Sequence, residues 1–171
     1  MWGRVVVGVD GSLTSLAALR QAVAIARPNG VPLRAVWVCQ QVVGHVTVES
    51  SVPRNPQVVA AGQQRVDEAF ARALGGCPPE VPVTVDVRAY EGNVGAALVA
   101  IASRETDLLV VGTGTARRWF RPRARAVSRY CLLHARCPVL VVPLSEFARD
   151  VSRYPGTVRR LIRAVARSPY E

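Results

Sequence analysis

Residues 5–27 read VVVGVDGSLTSLAALRQAVAIAR. The first five form a continuous apolar run, the length of a strand buried on both faces of a parallel sheet. Asp10-Gly11-Ser12 then makes a turn, with Ser12 placed to cap a helix. Over residues 13–27, Leu16, Leu19, Val23 and Ala26 recur at helical spacing on an alanine-rich background. Pro28-Asn29-Gly30 stops that helix. A buried strand feeding an amphipathic helix is the repeating unit of an α/β protein.

The same alternation continues along the chain. Residues 33–39 (LRAVWVC) read as a second strand, and residues 40–56 as a long polar connection with Gly44, Pro53 and Pro56. Residues 57–74 read as a helix whose apolar stripe is Val59, Val66, Phe70 and Leu74. Residues 81–89 alternate as a third strand, with Val83, Val85 and Val87 facing inward and Pro82 at its beginning or at a sheet edge. Residues 92–103 are a helix, with Val94, Leu98, Ile101 and Ala102 as its stripe. Asp107 precedes LLVVG, a fourth buried strand ending at Gly112. An arginine-loaded loop covers residues 113–125, a short helix residues 126–134, and a fifth strand residues 137–142. Five strands separated by helices imply parallel pairing with right-handed crossovers, in a Rossmann-like or flavodoxin-like three-layer sandwich. Periodicity does not choose the strand order.

Composition narrows the classes further. At 171 residues and half hydrophobic, the chain is long enough for one domain with a full core. All 22 basic residues are arginine, and the formal charge is +10, which implies attraction to something anionic: phosphate, nucleic acid or a membrane surface. No secretory signal is visible, and no apolar stretch approaches the ~20 residues needed to span a bilayer. A cytoplasmic, reducing compartment is therefore expected, with Cys39, Cys77, Cys131 and Cys137 as free, buried thiols. Cys131, His134 and Cys137 invite a metal reading. They make one loose cluster where zinc sites want two ligand pairs, and Pro138 interrupts the helix, so no metal is expected.

Residues 144–171 differ from residues 1–143. There Val158, Leu161, Ile162 and Val165 fit one helical face, opposite arginines, and Pro155-Gly156 divides the segment. This basic helical extension reads as a helix packed on the domain or on a second subunit. A membrane-surface or nucleic-acid helix is the sharper reading. Trp119-Phe120 inside the arginine loop reads as an anchor on a subunit interface or a stacking surface for a base. Trp37 reads as core, or as a wall of a base pocket.

Two stretches, VVVGVDGSLTSLAALRQAVAIAR and TDLLVVGTG…VSRYCLLHARCPVLVVP, resemble the opening and closing halves of the universal stress protein family. The resemblance covers residues 4–143. It implies a strand order of 3-2-1-4-5, and so a crevice at the carboxyl ends of the first and fourth strands, where ligands of open α/β sheets bind. Asp10-Gly11-Ser12 and Gly112-Thr113-Gly114 both fall at that crevice. The resemblance also implies ATP, with Mg²⁺, as a ligand. The first-strand end (Val9, Asp10, Gly11, Ser12) and the backbone at Val38 would hold base and ribose. The family holds phosphates with a loop of pattern G-x2-G-x9-G-[ST], whose glycines let backbone N–H groups approach. Here only Gly112 is kept. The second glycine falls on Thr115, the third on Arg125 and the hydroxyl on Ala126, followed by Val127 and Ser128 as usual. Gly114, one residue early, could partly replace the missing glycine. Arg117, Arg118, Arg121, Arg123 and Arg125 either hold phosphate by side chains or fill the pocket. Asp10 and Ser12 have plain alternatives as turn and helix caps.

No carboxylate pair or Ser/His/Asp arrangement stands out, and His45 and His134 have no catalytic context. The expectation is a stress-response binding and signalling protein and not an enzyme, with at most slow ATP hydrolysis. The resemblance implies a homodimer through the fifth strand, an edge with unpaired backbone groups. The alternative is a member that binds no nucleotide and works through protein or nucleic-acid contacts of its arginine-rich loop and tail.

Overall fold

The computed structural model describes residues 2–40, 55–90, 93–114 and 123–144, with the backbone alone for Gln40, Tyr90 and residues 123–126. The basic extension, the arginines at 117, 118 and 121, Trp119-Phe120, Thr115, Gly92 and His45 lie outside the described residues.

Strand β1 (Arg4–Gly8) leads into helix α1 (Leu13–Asn29), followed by β2 (Leu33–Gln40), α2 (Pro56–Leu74), β3 (Val83–Tyr90), α3 (Val94–Ile101), β4 (Asp107–Gly112), α4 (Arg123–His134) and β5 (Val139–Val142). The strands form one parallel sheet in the order β3-β2-β1-β4-β5. This is the order that the resemblance implies. β1 and β4 lie inside the sheet, where Val5, Val6, Val7, Leu109 and Val110 are fully buried.

Alternate residues of each strand feed two cores. Val5, Val7, Leu33 and Ala35 pack with Leu16, Leu19, Val66 and Phe70 of α1 and α2. Val6, Val36, Leu109 and Val111 pack with Leu98, Ile101 and Cys131 of α3 and α4. Close contacts set the layer spacing. A Cβ on Gly62 would lie 2.7 Å from the Trp37 ring, and one on Gly95 would lie 2.9 Å from Tyr130 Cβ. At the amino ends of β1 and β4, Asp107 is fully buried. Arg4 Nε donates to its Oδ1 at 3.1 Å, and Arg4 Nη2 to its Oδ2 at 2.6 Å. Arg4 Nη2 also donates to the Ile101 carbonyl, and the Arg104 amide donates to Asp107 Oδ2. The pair is fully satisfied, the condition for a buried charge to be tolerated.

Several boundaries differ from those expected. Pro28 lies inside the last turn of α1, and Gly30, in the left-handed region, caps the helix by donating to the Ala26 and Arg27 carbonyls. α2 starts at Pro56, because Asn55 caps it and proline suits a first turn. β3 begins at Val83, one residue past Pro82. α3 is the shorter Val94–Ile101, capped by Asn93. Leu74, expected in the apolar stripe of α2, is 39 % exposed at the helix end. α4 begins at Arg123, so Arg123 and Arg125 belong to the helix and not to the loop before it. Trp37 faces α2, on the sheet face away from α3, so it walls no pocket there. No helix among the described residues is long and apolar enough to cross a membrane.

Candidate functional site

The carboxyl ends of β1 and β4 face a cavity of about 210 Å³ on the α3 side of the sheet. Here the chain direction reverses: β1 leads to β2 on one side, while β4 leads to β5 on the other. Val36 and Val38 of β2 and Leu98 of α3 give it apolar walls. Asp10, Ser12, Thr14 and Ser15 line it from the β1–α1 turn, and Gly112 and Gly114 from the end of β4.

The turn is held by its own hydrogen bonds. The Ser12 amide donates to Asp10 Oδ1 at 2.9 Å, which fixes the turn. The Ser15 amide donates to Ser12 Oγ at 3.2 Å, which caps α1. Ser15 Oγ donates to the Ser12 carbonyl and accepts from the Asp10 amide. Ser12 Oγ and Thr14 Oγ1 lie 3.0 Å apart. Two hydroxyls sharing one bond leave one proton over, and both residues line the cavity. Asp10 itself is exposed and gives only one carboxylate oxygen to the turn. Capping and ligand binding are therefore compatible roles for Asp10 and Ser12.

The two glycines have different reasons. A Cβ at Gly112 would sit 2.6 Å from the Thr14 carbonyl oxygen, so a side chain there pushes the start of α1 off the sheet. Packing alone requires this glycine. Gly114 has φ of 77°, a left-handed conformation that costs other residues about 1 kcal/mol or more, and it lines the cavity.

The structure brings Val9, Asp10, Ser12, Val38, Gly112, Gly114 and Val127 of the expected site to one cavity. Gly11 lies in the turn but does not line it; its carbonyl accepts from Arg72 Nη1 at 3.1 Å. Ser128 is buried and does not line it either. Thr115 lies outside the described residues, and Arg125 and Ala126 are described by backbone alone, in the first turn of α4. Gly8, Thr14, Ser15, Val36, Val94, Leu98 and Val111 line the cavity without having been singled out. Strand alternation could have found Val36, two residues before Val38 on the same face. The contribution of α3 depends on packing and has no signal in the sequence.

The cysteines depart from a uniform set of buried thiols. Cys131 and Cys137 are buried, Cys39 is half-buried and Cys77 is exposed; all four are free. Burial pushes the Cys131 thiol up to about 12, and burial with the neighbouring Asp107 charge raises Cys137. Their Sγ atoms donate to the Gly95 and Ala102 carbonyls. His134 is exposed, stacked on Tyr130. Among the described residues no group of His, Cys, Asp and Glu is arranged to hold a metal.

Comparison with known proteins agrees with this fold. The Universal stress protein family profile matches residues 1–143, and the chain belongs to that family. No curated protein matches it significantly. Among solved structures, a universal stress protein in complex with cAMP shares 25 % identity and a TM-score of 0.55, over 84 % of this chain and 98 % of that one. A universal stress protein from Archaeoglobus fulgidus shares 17 % identity and a TM-score of 0.60, over 83 % and 99 %. The universal stress protein from Archaeoglobus fulgidus in complex with dAMP shares 18 % identity and a TM-score of 0.57, over 82 % and 98 %.

Proposed function

We propose that this chain is a cytoplasmic stress-response binding and signalling protein, not an enzyme, whose crevice between β1 and β4 takes an adenine nucleotide. The observation that carries the reading is the convergence of Asp10, Val38, Gly112 and Gly114 on one cavity at the strand-order reversal. The apolar walls suit a base. The unengaged Asp10 oxygen suits a ribose hydroxyl, and the start of α1 offers a hydroxyl proton and a helix dipole to a phosphate. The 25 % identical relative bound to cAMP supports the same class of ligand. If ATP is that ligand, Mg²⁺ would neutralise its phosphates.

A second reading is favoured by the cavity's size. About 210 Å³ is below the roughly 300–1,000 Å³ usual for ligand pockets, and Arg125 sits in the first turn of α4, where the phosphate-loop pattern implied by the family resemblance has glycine. In this reading Arg125 plugs the phosphate end, and the protein acts through contacts of its arginine-rich loop and its basic extension over residues 144–171 with a protein or nucleic acid. Either reading accommodates a homodimer through β5. That strand is a sheet edge, its four residues are only half-buried, and Leu132 and Leu133 of α4 before it are exposed.

Calorimetric titration with ATP and Mg²⁺ separates the two. Micromolar binding by the natural sequence, lost in Asp10→Ala, is the expected result. Loss in Arg125→Ala as well assigns phosphate holding to that arginine. No binding by the natural sequence, with binding gained in Arg125→Ala, rejects the nucleotide reading in favour of the plug.

A further inference from the structure

Arg34, Asp86 and Arg88 form a charged cluster beside the crevice. Val36 is in register with Asp86, and Val38 with Arg88. Residues in register project from the same sheet face, so the cluster lies on the α3 side, directly next to two walls of the cavity. Arg34 Nη2 pairs with Asp86 Oδ2, and Arg88 Nη2 lies 3.1 Å from Asp86 Oδ1. The side chains are 25 %, 13 % and 21 % exposed for Arg34, Asp86 and Arg88.

Two features set this cluster apart from the Arg4–Asp107 pair. Two guanidiniums share one carboxylate, leaving a formal excess of one positive charge. Both Nε–H donors are shielded from solvent and have no hydrogen-bond partner among the described residues. Asp86 Oδ2 meets the Arg34 guanidinium in the ion pair. Buried donors on a charged group are expensive to leave unmade, and such atoms point to a water or ion that completes them. For the two Nε–H donors, water would supply acceptors but would leave the charge. An oxyanion supplies acceptors and offsets the charge, in the geometry the planar fork of arginine matches best.

We propose that Arg34 and Arg88, held apart by Asp86, form an oxyanion-binding subsite flanking the crevice. It takes a phosphate group, either free or carried by whatever occupies the cavity. The proposal does not require the cavity to bind a nucleotide.

The test is calorimetric titration of the full chain with inorganic phosphate in low-salt buffer. The natural sequence should bind saturably. Arg88→Gln and Arg34→Gln should each weaken binding by about tenfold or more, the scale of a lost charge-assisted hydrogen bond. Asp86→Asn should tighten it several-fold, because the competing carboxylate charge is gone; a purely structural triad would show no such gain. If Arg88→Gln does not fold by circular dichroism, Arg88→Lys keeps the charge without the fork and should weaken binding to a lesser degree. Absence of saturable phosphate binding overturns the proposal, as does binding that survives both glutamine variants. Competition between ATP and phosphate would show that the group belongs to the cavity's ligand, and simultaneous binding that it is free. Asp10→Ala should reduce ATP binding and leave phosphate binding intact. Failure of ATP to bind would therefore count against the nucleotide reading alone.

Discussion

Arg4–Asp107 and Arg34–Asp86–Arg88 use the same chemistry at two places in one sheet. The first joins the amino ends of β1 and β4. One guanidinium meets one fully buried carboxylate, with every carboxylate contact from Arg4 and the Arg104 amide on the hydrogen-bond axis. The second lies on β2 and β3 beside the cavity, with two guanidiniums on one carboxylate and both Nε–H donors unpartnered among the described residues. A balanced, closed pair stabilises the fold and has nothing left to give a ligand. An unbalanced one is poorly satisfied by itself and keeps donors in reserve. The second cluster runs from Arg34, near the start of β2, to Arg88, in register with the cavity wall Val38.

Removing one partner tests the comparison most strongly. Asp107→Ala leaves the Arg4 guanidinium largely buried without its carboxylate and should destabilise the protein by about 3–5 kcal/mol in urea unfolding. Asp86→Ala should lose less, about 1–3 kcal/mol, because the guanidiniums it leaves unpaired are 25 % and 21 % exposed. Equal losses would erase the distinction.

Next in size is Gly112→Ala, at the cavity end of β4. Its methyl meets the Thr14 carbonyl, so overpacking should destabilise by about 1–3 kcal/mol. It should also weaken nucleotide binding, read by the same melts and titrations. Ser12→Ala removes the cap of α1 and should lower stability by about 1 kcal/mol, with the loss of amide protection centred on the first turns of α1.

The smallest effect at neutral pH comes from Cys131. Its folded-state thiol is raised to about 12 from 9.0. The unfolded chain therefore loses its proton first. The stability linked to this raised value is fully present below pH 9 and is lost as pH rises toward 12. Unfolding midpoints measured across that window should fall, and Cys131→Ala should flatten that part of the decline.

Much of the fold was legible in residue patterns. The runs at 5–9 and 108–112 have no polar residue because both faces are covered, and the alternation at 83–87 separates Val83, Val85 and Val87 from Thr84 and Asp86. Boundaries were less legible, because caps decide them: Asn55 admits Pro56 to α2, and Gly30 allows α1 to pass through Pro28. Half of the cavity was legible as well, since Asp10, Ser12, Gly112 and Gly114 sit in turns whose residue types declare them. Thr14, Val94 and Leu98 did not declare themselves, because a buried threonine or an apolar helix residue looks the same whether it faces a core or a cavity.

The sequence alone determined the alternation of strands and helices, the parallel sheet and the turn residues, because these depend on spacing along a few neighbouring positions. The tertiary structure decided which side of the sheet each strand joined, the packing origin of Gly112, and the placing of Arg34 and Arg88 around one aspartate. Those relations join residues some fifty to a hundred positions apart, and no local period encodes a distance closed by packing.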